Sequence, residues 1–426
     1  MNILRILLNA VFVFAVIFIW LMLIYQFVLA IGGFRWRLRI LREEKEPLDE
    51  SALPDITILI PAKNEEKVVG GLLDRLRNLR YPAEKLEVIV INDGSTDATK
   101  RIVEERAGAD PRIRCLDIPH PESGRGKGAV LNRGLREAKY DIIAVYDADN
   151  LPEADSLAKL CRSLAADEKL AGVTGKFRAY NKTKNLLTRF INIESIAFQW
   201  IIQAGRGFFM KISFLPGTNF VIKKSVLREV GGWDENALTE DSELTMRIYE
   251  KGHRIKFLPT ATSWEQEPER LGTWVRQRTR WARGNNYLIA KYARRLLRPP
   301  LKLTAVEILN LLYLYYLFIF AILFSDIFFI LSLLNVIHVR VPGPYAELWG
   351  LAFLLFLMEI MIALSFERED SLGSLGLAVL AYLTYTKLWV FVVIKSLLEE
   401  YVFKRKKIWM KTERFDVGFH PKKDQP

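Results

Sequence analysis

Asp147 and Asp149 flank a single alanine directly after the apolar run Ile142–Tyr146. The run reads as a short strand buried on both faces, as in a parallel sheet. In an extended backbone residues two apart point the same way, so the two carboxylates can face one small volume. Carboxylates that close repel unless a positive group sits between them. A hard divalent cation carrying phosphate oxygens would satisfy them. A plainer alternative is a helix start, with Asp149 or Asn150 as cap and Pro152 in the first turn. Other chemistry-bearing stretches accompany the pair. Asp93-Gly-Ser-Thr-Asp97 follows another apolar run, where Asp93 is placed to accept hydrogen bonds from a base or ribose. Gly124-Arg-Gly-Lys127-Gly128 leads into a helix pattern and suits phosphate, without the spacing of a P-loop or a dinucleotide fold. Thr239-Glu240-Asp241 opens an amphipathic helix and favours its dipole. Gln277-Arg-Thr-Arg280-Trp281 sets guanidinium forks for diphosphate beside an indole face for sugar C–H groups, with interfacial anchoring as the competing role.

The elements that must position these residues alternate. Strands at 56–60, 86–91, 113–118 and 142–146 interleave with helices at 64–79, 96–107 and 127–137. That is the signature of βαβ units and a parallel sheet. The polar residues gather after successive strands, where open α/β sheets bind ligands. Segment 186–210 mixes large apolar residues with Arg189, Glu194, Gln203 and Arg206. It reads as a helix at a membrane interface or as a buried core helix.

The chain has 426 residues, half of them hydrophobic, and a net charge of +12. Residues 6–32 are long and apolar enough to cross a bilayer, too long for a cleaved leader. Arg35, Arg37, Arg39 and Arg42 follow, which places the next domain in the cytoplasm. Further apolar runs cover 304–336, 347–366 and 374–398, and the number of crossings stays open. Basic residues beside apolar segments suit an anionic membrane face, and no nucleic-acid motif accompanies them. Two cysteines imply no disulfide framework. The expected domains are an N-terminal transmembrane helix at 1–34, a cytosolic domain at 50–300, a transmembrane region at 301–400 and a basic tail at 401–426. Interfacial helices are expected near 186–210 and 267–300.

Six stretches in order resemble the processive, membrane-integrated family 2 glycosyltransferases, which include cellulose, hyaluronan, poly-N-acetylglucosamine and chitooligosaccharide synthases. They are Pro61-Ala-Lys-Asn64-Glu65, Asp93-Gly-Ser95, Gly126-Lys127-Gly128, Asp147-Ala-Asp149, Thr239-Glu240-Asp241 and Gln277-Arg-Thr-Arg280-Trp281. The resemblance implies a GT-A fold, an α/β domain with a mixed, mainly parallel sheet, joined to transmembrane helices. It implies a UDP-sugar donor contacted by Pro61, Asn64, Glu65, Asp93, Lys127, Asp147 and Arg280, with Arg278 a further candidate. Asp149 would hold Mg2+ or Mn2+, and Asp241 would be the general base. Glu240, Gln277 and Trp281 would hold the acceptor. The implied reaction is a single displacement with inversion that builds a β-linked polysaccharide from UDP-GlcNAc or UDP-glucose in the cell membrane. Transfer of one sugar to a lipid such as a polyprenyl phosphate is the alternative. A non-catalytic scaffold is disfavoured by the intact carboxylates.

Overall fold

A computed structural model describes residues 2–44, 48–297, 303–336 and 343–405. Arg298, Lys406, Lys407 and most of the expected basic tail lie outside the described residues.

The chain begins with one long helix, α1 (Asn2–Glu43), which continues unbroken from the apolar stretch through the arginine cluster. Its C-terminal part is fastened to the following domain. The Trp36 indole donates to the Phe257 carbonyl at 3.0 Å, and Lys256 reaches Glu43 at 2.8 Å. Gly33 permits this close approach, because a Cβ there would stand 2.1 Å from the Trp200 carbonyl oxygen.

The domain then alternates as the pattern requires: β1 (Ile56–Ala62), α2 (Val69–Arg77), β2 (Leu86–Asn92), α3 (Thr99–Ala109), β3 (Ile113–Asp117), α4 (Lys127–Glu137) and β4 (Ile142–Val145). Next come β5 (Leu151–Pro152), α5 (Ser156–Ala165), β6 (Leu170–Ala179), α6 (Leu186–Ala197) and, after a π-helical turn at Phe198–Ala204, α7 (Gly205–Met210). The domain closes with β7 (Phe220–Lys223), α8 (Lys224–Val230), α9 (Glu240–Glu250), β8 (Arg254–Glu265) and α10 (Leu271–Tyr292).

The eight strands form one sheet in the order β3-β2-β1-β4-β7-β6-β8-β5. β1 pairs in parallel with both β2 and β4, and β2 with β3. β7 runs antiparallel to β4 and β6, so the sheet is mixed. Chain order reverses between β1 and β4, where an open sheet leaves a crevice past its carboxyl ends. Ile58, Ile60, Val88 and Val90 pack on one face, and Leu59, Ile89, Ile91, Ile143 and Val145 on the other. Burial on both faces explains why these strands read as continuous apolar runs.

Two local expectations are corrected. The helix expected from Asn64 begins at Val69, because Asn64 adopts a left-handed conformation (φ 55°) and its backbone is used in a turn. Asp149 and Asn150 do not cap a helix. Leu151 and Pro152 instead form β5 against Trp264 and Ser263, and the helix starts at Ser156.

Beyond the sheet domain lie α11 (Leu303–Leu312), α12 (Ile319–Leu333), α13 (Tyr345–Phe366), α14 (Leu372–Leu383) and α15 (Tyr385–Leu397). Among the described residues four helical stretches are long and apolar enough to cross a membrane: Ile6–Glu43, Thr304–Ser332, Glu347–Phe366 and Leu372–Val402. The last one is fastened to the sheet domain near both ends. Just ahead of it, Glu367 bonds Lys176 at 2.8 Å and also meets Arg178 and the Trp200 indole. Near its end, Glu400 accepts from Arg283 of α10 at 3.0 Å.

Candidate active site

One wall of the crevice is built from strand ends. Asp93 follows β2, is 5% exposed, and accepts from the Gly124 amide at 2.7 Å and from Lys63 at 3.2 Å. The glycine-rich loop therefore closes over Asp93. Asn64 ties two strand-end loops together: its side-chain oxygen accepts from the Thr96 amide at 2.8 Å, and its amide donates to Ser95 at 2.9 Å. The Glu65 amide likewise donates to Thr99 at 2.7 Å. Pro61, Glu65 and Asp93 line the central cavity, while Asn64 holds the loop behind them.

Lys127 is the hub. It is the first residue of α4, and its side chain turns back under the crevice. The ammonium lies 2.6 Å from Asp147, 3.7 Å from Glu240 and 2.9 Å from the Gly217 carbonyl oxygen. Gly217 (φ 82°) leaves space for Asp241, whose Oδ2 would be 2.9 Å from a Cβ placed there. The left-handed backbone and the close carboxylate both require glycine at that position. Burial opposes charge on Lys127, but Asp147, Glu240 and Asp241 overcome it and hold its pKa above the usual lysine range. Burial pushes the Glu240 carboxyl up to about 7 against the pull of Lys127. Asp241 is raised for the same reason, with Lys127 and Arg280 opposing. Asp241 accepts from the Ser242 amide at 2.7 Å, so one oxygen is held by the helix start and the other faces the cavity.

Asp149 is 5% exposed and accepts from the Gln266 amide at 3.3 Å. Among the described residues no three acidic, histidine or cysteine side chains form a complete metal cage. Asp147 and Asp149 nevertheless line one cavity, together with Asp93, Glu240 and Asp241 among other carboxylates. A pair of carboxylates completed by phosphate oxygens is how magnesium-like ions are commonly held, so the donor set fits such an ion.

The opposite wall of the crevice includes α10. Gln277 and Trp281 lie four residues apart on one helix face, and both line the cavity with Arg280. Arg280 also reaches the Leu238 carbonyl oxygen at 3.5 Å. Arg278 is occupied differently. It is 2% exposed and donates to Glu194 at 3.0 Å and to Gln277 at 2.8 Å, with its guanidinium 4.0 Å from the Trp281 ring centre. Tyr385 of α15 donates to the same Glu194 and accepts from the Trp274 indole at 2.9 Å. Arg278 thus braces the indole face, and its charge is met within the protein.

The cavity measures about 630 Å3 and does not end at α10. It continues between the long apolar helices, past Gln26, Asn310, Phe318, Phe356 and Trp389.

The sequence matches the family described as glycosyltransferase like family 2 over residues 54–284, more than half of the chain. The chain belongs to this family. The matched region runs from β1 into α10 and carries Pro61, Glu65, Asp93, Lys127, Asp147, Asp149, Glu240, Asp241, Gln277, Arg280 and Trp281. The probable glycosyltransferase YdaM of Bacillus subtilis (strain 168) is 42% identical over 415 residues, 96% of this chain and 98% of that protein. The poly-beta-1,6-N-acetyl-D-glucosamine synthase of Staphylococcus aureus (strain COL) is 31% identical over 258 residues, 61% of each chain. A solved mannosyltransferase, PcManGT from Pyrobaculum calidifontis, in complex with GDP-Man and Mn2+, superposes with a TM-score of 0.54 at 22% identity. The match covers 89% of this chain and 99% of that one. The glycosyltransferase thus has the GT-A fold. Enzymes of that fold generally use a divalent metal.

Several residues that shape the site escaped the sequence reading. Glu194, Thr218, Gln266 and Tyr385 each matter through a partner 71 to 191 residues away. Glu194 alone left a trace, as the one acid in the apolar stretch 186–202.

Proposed function

We propose that this family 2 enzyme polymerises a UDP-sugar into a β-linked polysaccharide by inverting displacement at the cytoplasmic face of the cell membrane. UDP-GlcNAc is the favoured donor, with UDP-glucose next, since a relative sharing the matched region is a poly-N-acetylglucosamine synthase. The observation that carries the reading is the single cavity running from Asp93, Asp149 and Asp241 to the space between the apolar helices. A growing chain has a way out of the site along it.

In this reading Asp93 receives the uracil or ribose, with Pro61, Asn64 and Glu65 forming and supporting the wall beside it. Asp147 faces the ribose or phosphate side of the donor, and Lys127 neutralises the carboxylates on which the diphosphate must settle. Asp149, with Asp147, would hold Mg2+ or Mn2+, whose charge would offset that of the departing diphosphate. Arg280 adds a guanidinium on the same side. Asp241 removes the proton of the acceptor hydroxyl, and its burial favours a base of raised pKa. Glu240, Gln277 and Trp281 hold the acceptor sugar, the indole packing on its C–H face. An α-linked donor then gives a β-linked product.

The proposed arrangement has α1, the stretch Thr304–Ser332 from α11 into α12, and α13 crossing the membrane, with the basic end of α1 inside. Leu372–Val402 returns to the domain it left, because Glu367 and Glu369 just ahead of it and Glu400 near its end contact that domain. This keeps Lys404 and Arg405 on the cytoplasmic side, in line with the positive-inside tendency.

A second reading has its own support. Ile19, Leu23, Ile319 and Ile322 give the cavity an apolar stretch that would accept a polyprenyl tail, so that one sugar passes to a lipid phosphate. Full-length enzyme in lipid nanodiscs, given labelled UDP-GlcNAc and Mn2+, separates the two. Polymerisation yields a ladder or high polymer, whereas a single-sugar lipid as the whole product removes the favoured reading.

A further inference from the structure

The far part of the cavity contains a charged pair that the transfer reaction does not use. Asp326 is the one charged residue of α12, and Lys387 stands at the start of α15. The ammonium lies 2.9 and 2.7 Å from the two Asp326 oxygens, and 5.3 Å from the Tyr382 ring centre. Ser325 and Thr386 are neighbours in sequence, and all five residues line the same cavity as Asp149 and Asp241. The pair is not sealed inside the protein, since its side chains are 39% and 32% exposed.

Stability does not account for such a pair. Charges within membrane segments are expensive and usually mark a pathway. An ion pair as exposed as this one contributes only about 0–1 kcal/mol. A polyprenyl tail would gain nothing from it. A glycan would, because its hydroxyls donate to a carboxylate and accept from an ammonium, while its C–H face packs on a tyrosine ring.

We infer that Asp326 and Lys387, with Tyr382 beside them, form a hydroxyl-binding subsite for the product glycan beyond the acceptor position. The inference rests on the polymerising reading. The subsite retains the chain between additions, so its loss converts few long chains into many short ones.

The test uses full-length enzyme in nanodiscs with labelled UDP-GlcNAc and Mn2+, and counts sugars per chain. The Asp326→Leu/Lys387→Met double variant is expected to keep or raise its unfolding temperature while sugars per chain fall at least fivefold. Asp326→Asn, a gentler change, is expected to give chains of intermediate length. Wild-type chain length in a folded double variant or in Asp326→Asn overturns the subsite and leaves the polymerase standing. Short chains that track a lowered unfolding temperature also overturn it, since the pair then serves only to hold α12 to α15. A wild-type product of one sugar on lipid overturns the polymerising reading itself.

Discussion

Two buried cations sit on opposite sides of the same crevice, and their surroundings differ in charge balance. Lys127, on the donor side, faces Asp147 at 2.6 Å and Glu240 at 3.7 Å, with Asp241 beyond. Arg278, on α10, bonds one carboxylate, Glu194 at 3.0 Å, with Glu267 beyond, and stacks on Trp281 at 4.0 Å. The first site holds more negative charge than its lysine can neutralise. Burial makes that surplus costly, as the raised pKa of Glu240 and Asp241 shows. The second site carries a smaller surplus and is closed by aromatic rings. In the proposed reading the larger surplus suits a place that takes a metal ion, and the smaller one a place that keeps an indole still.

The sharpest way to break this contrast is to remove the carboxylate that acts. Asp241→Asn is expected to lower the rate of UDP release with acceptor about a thousandfold, a typical contribution of a general base. Donor binding should persist, measured by calorimetry with UDP. Release at wild-type rate would end the role of Asp241. Asp149→Ala comes next. It should weaken Mn2+-dependent UDP binding about a hundredfold, equal to roughly 3 kcal/mol. Titrations with and without Mn2+ that change equally on substitution would show that Asp149 does not serve the metal.

On the Arg278 side the expected losses are smaller and of another kind. Glu194→Gln leaves the Arg278 charge without its counter-ion. Breaking a buried pair costs about 3–5 kcal/mol, and partial exposure of Glu194 reduces that to roughly 2 kcal/mol here. The unfolding temperature should fall and acceptor KM rise, with UDP affinity unchanged. Trp281→Ala should raise acceptor KM about tenfold, in the range of one lost aromatic anchor. A loss of UDP binding in either variant would join the two sides that the comparison separates.

How much was legible follows the same division. Asp93 and Asp147 follow closely on β2 and β4, so the short stretches around them show both the element and the end on which the acid sits. Sequence also located α10, and helical spacing places Gln277 with Trp281 while turning Arg278 away from Arg280. Asn64 shows the limit of such reading. Its position in the Pro-Ala-Lys-Asn-Glu stretch suggested a nucleotide contact, yet its side chain bridges two loops. The bracing of Trp281 was out of reach, because Glu194, Trp274, Arg278 and Tyr385 come together only through tertiary packing. The same holds for Glu367, which follows an apolar run in sequence and becomes the partner of Lys176 and Arg178 only when α13 packs on the sheet domain.

The smallest expected effect concerns how the donor-side surplus responds to pH. Glu240 has a pKa raised to about 7 and lies within reach of Lys127, which also serves Asp241. As pH falls through 7, Glu240 takes a proton and one negative charge leaves the cluster. Lys127 then acts more strongly on Asp241 and lowers its basicity, so kcat/KM should fall severalfold between pH 8 and pH 6. Glu240→Gln imitates the protonated state. It should show the lower rate throughout and lose the limb near 7. The stability term has the opposite sign. A carboxyl raised from 4.5 to about 7 contributes stability that is complete below its unfolded pKa and lost as pH rises through the folded one. Unfolding temperature should therefore drop from pH 5 to pH 8 by more in wild type than in Glu240→Gln. Superimposable kcat/KM profiles for the two proteins would show that Glu240 stands outside the charge balance around Lys127, and the contrast with Arg278 would then rest on Asp147 and Asp241 alone.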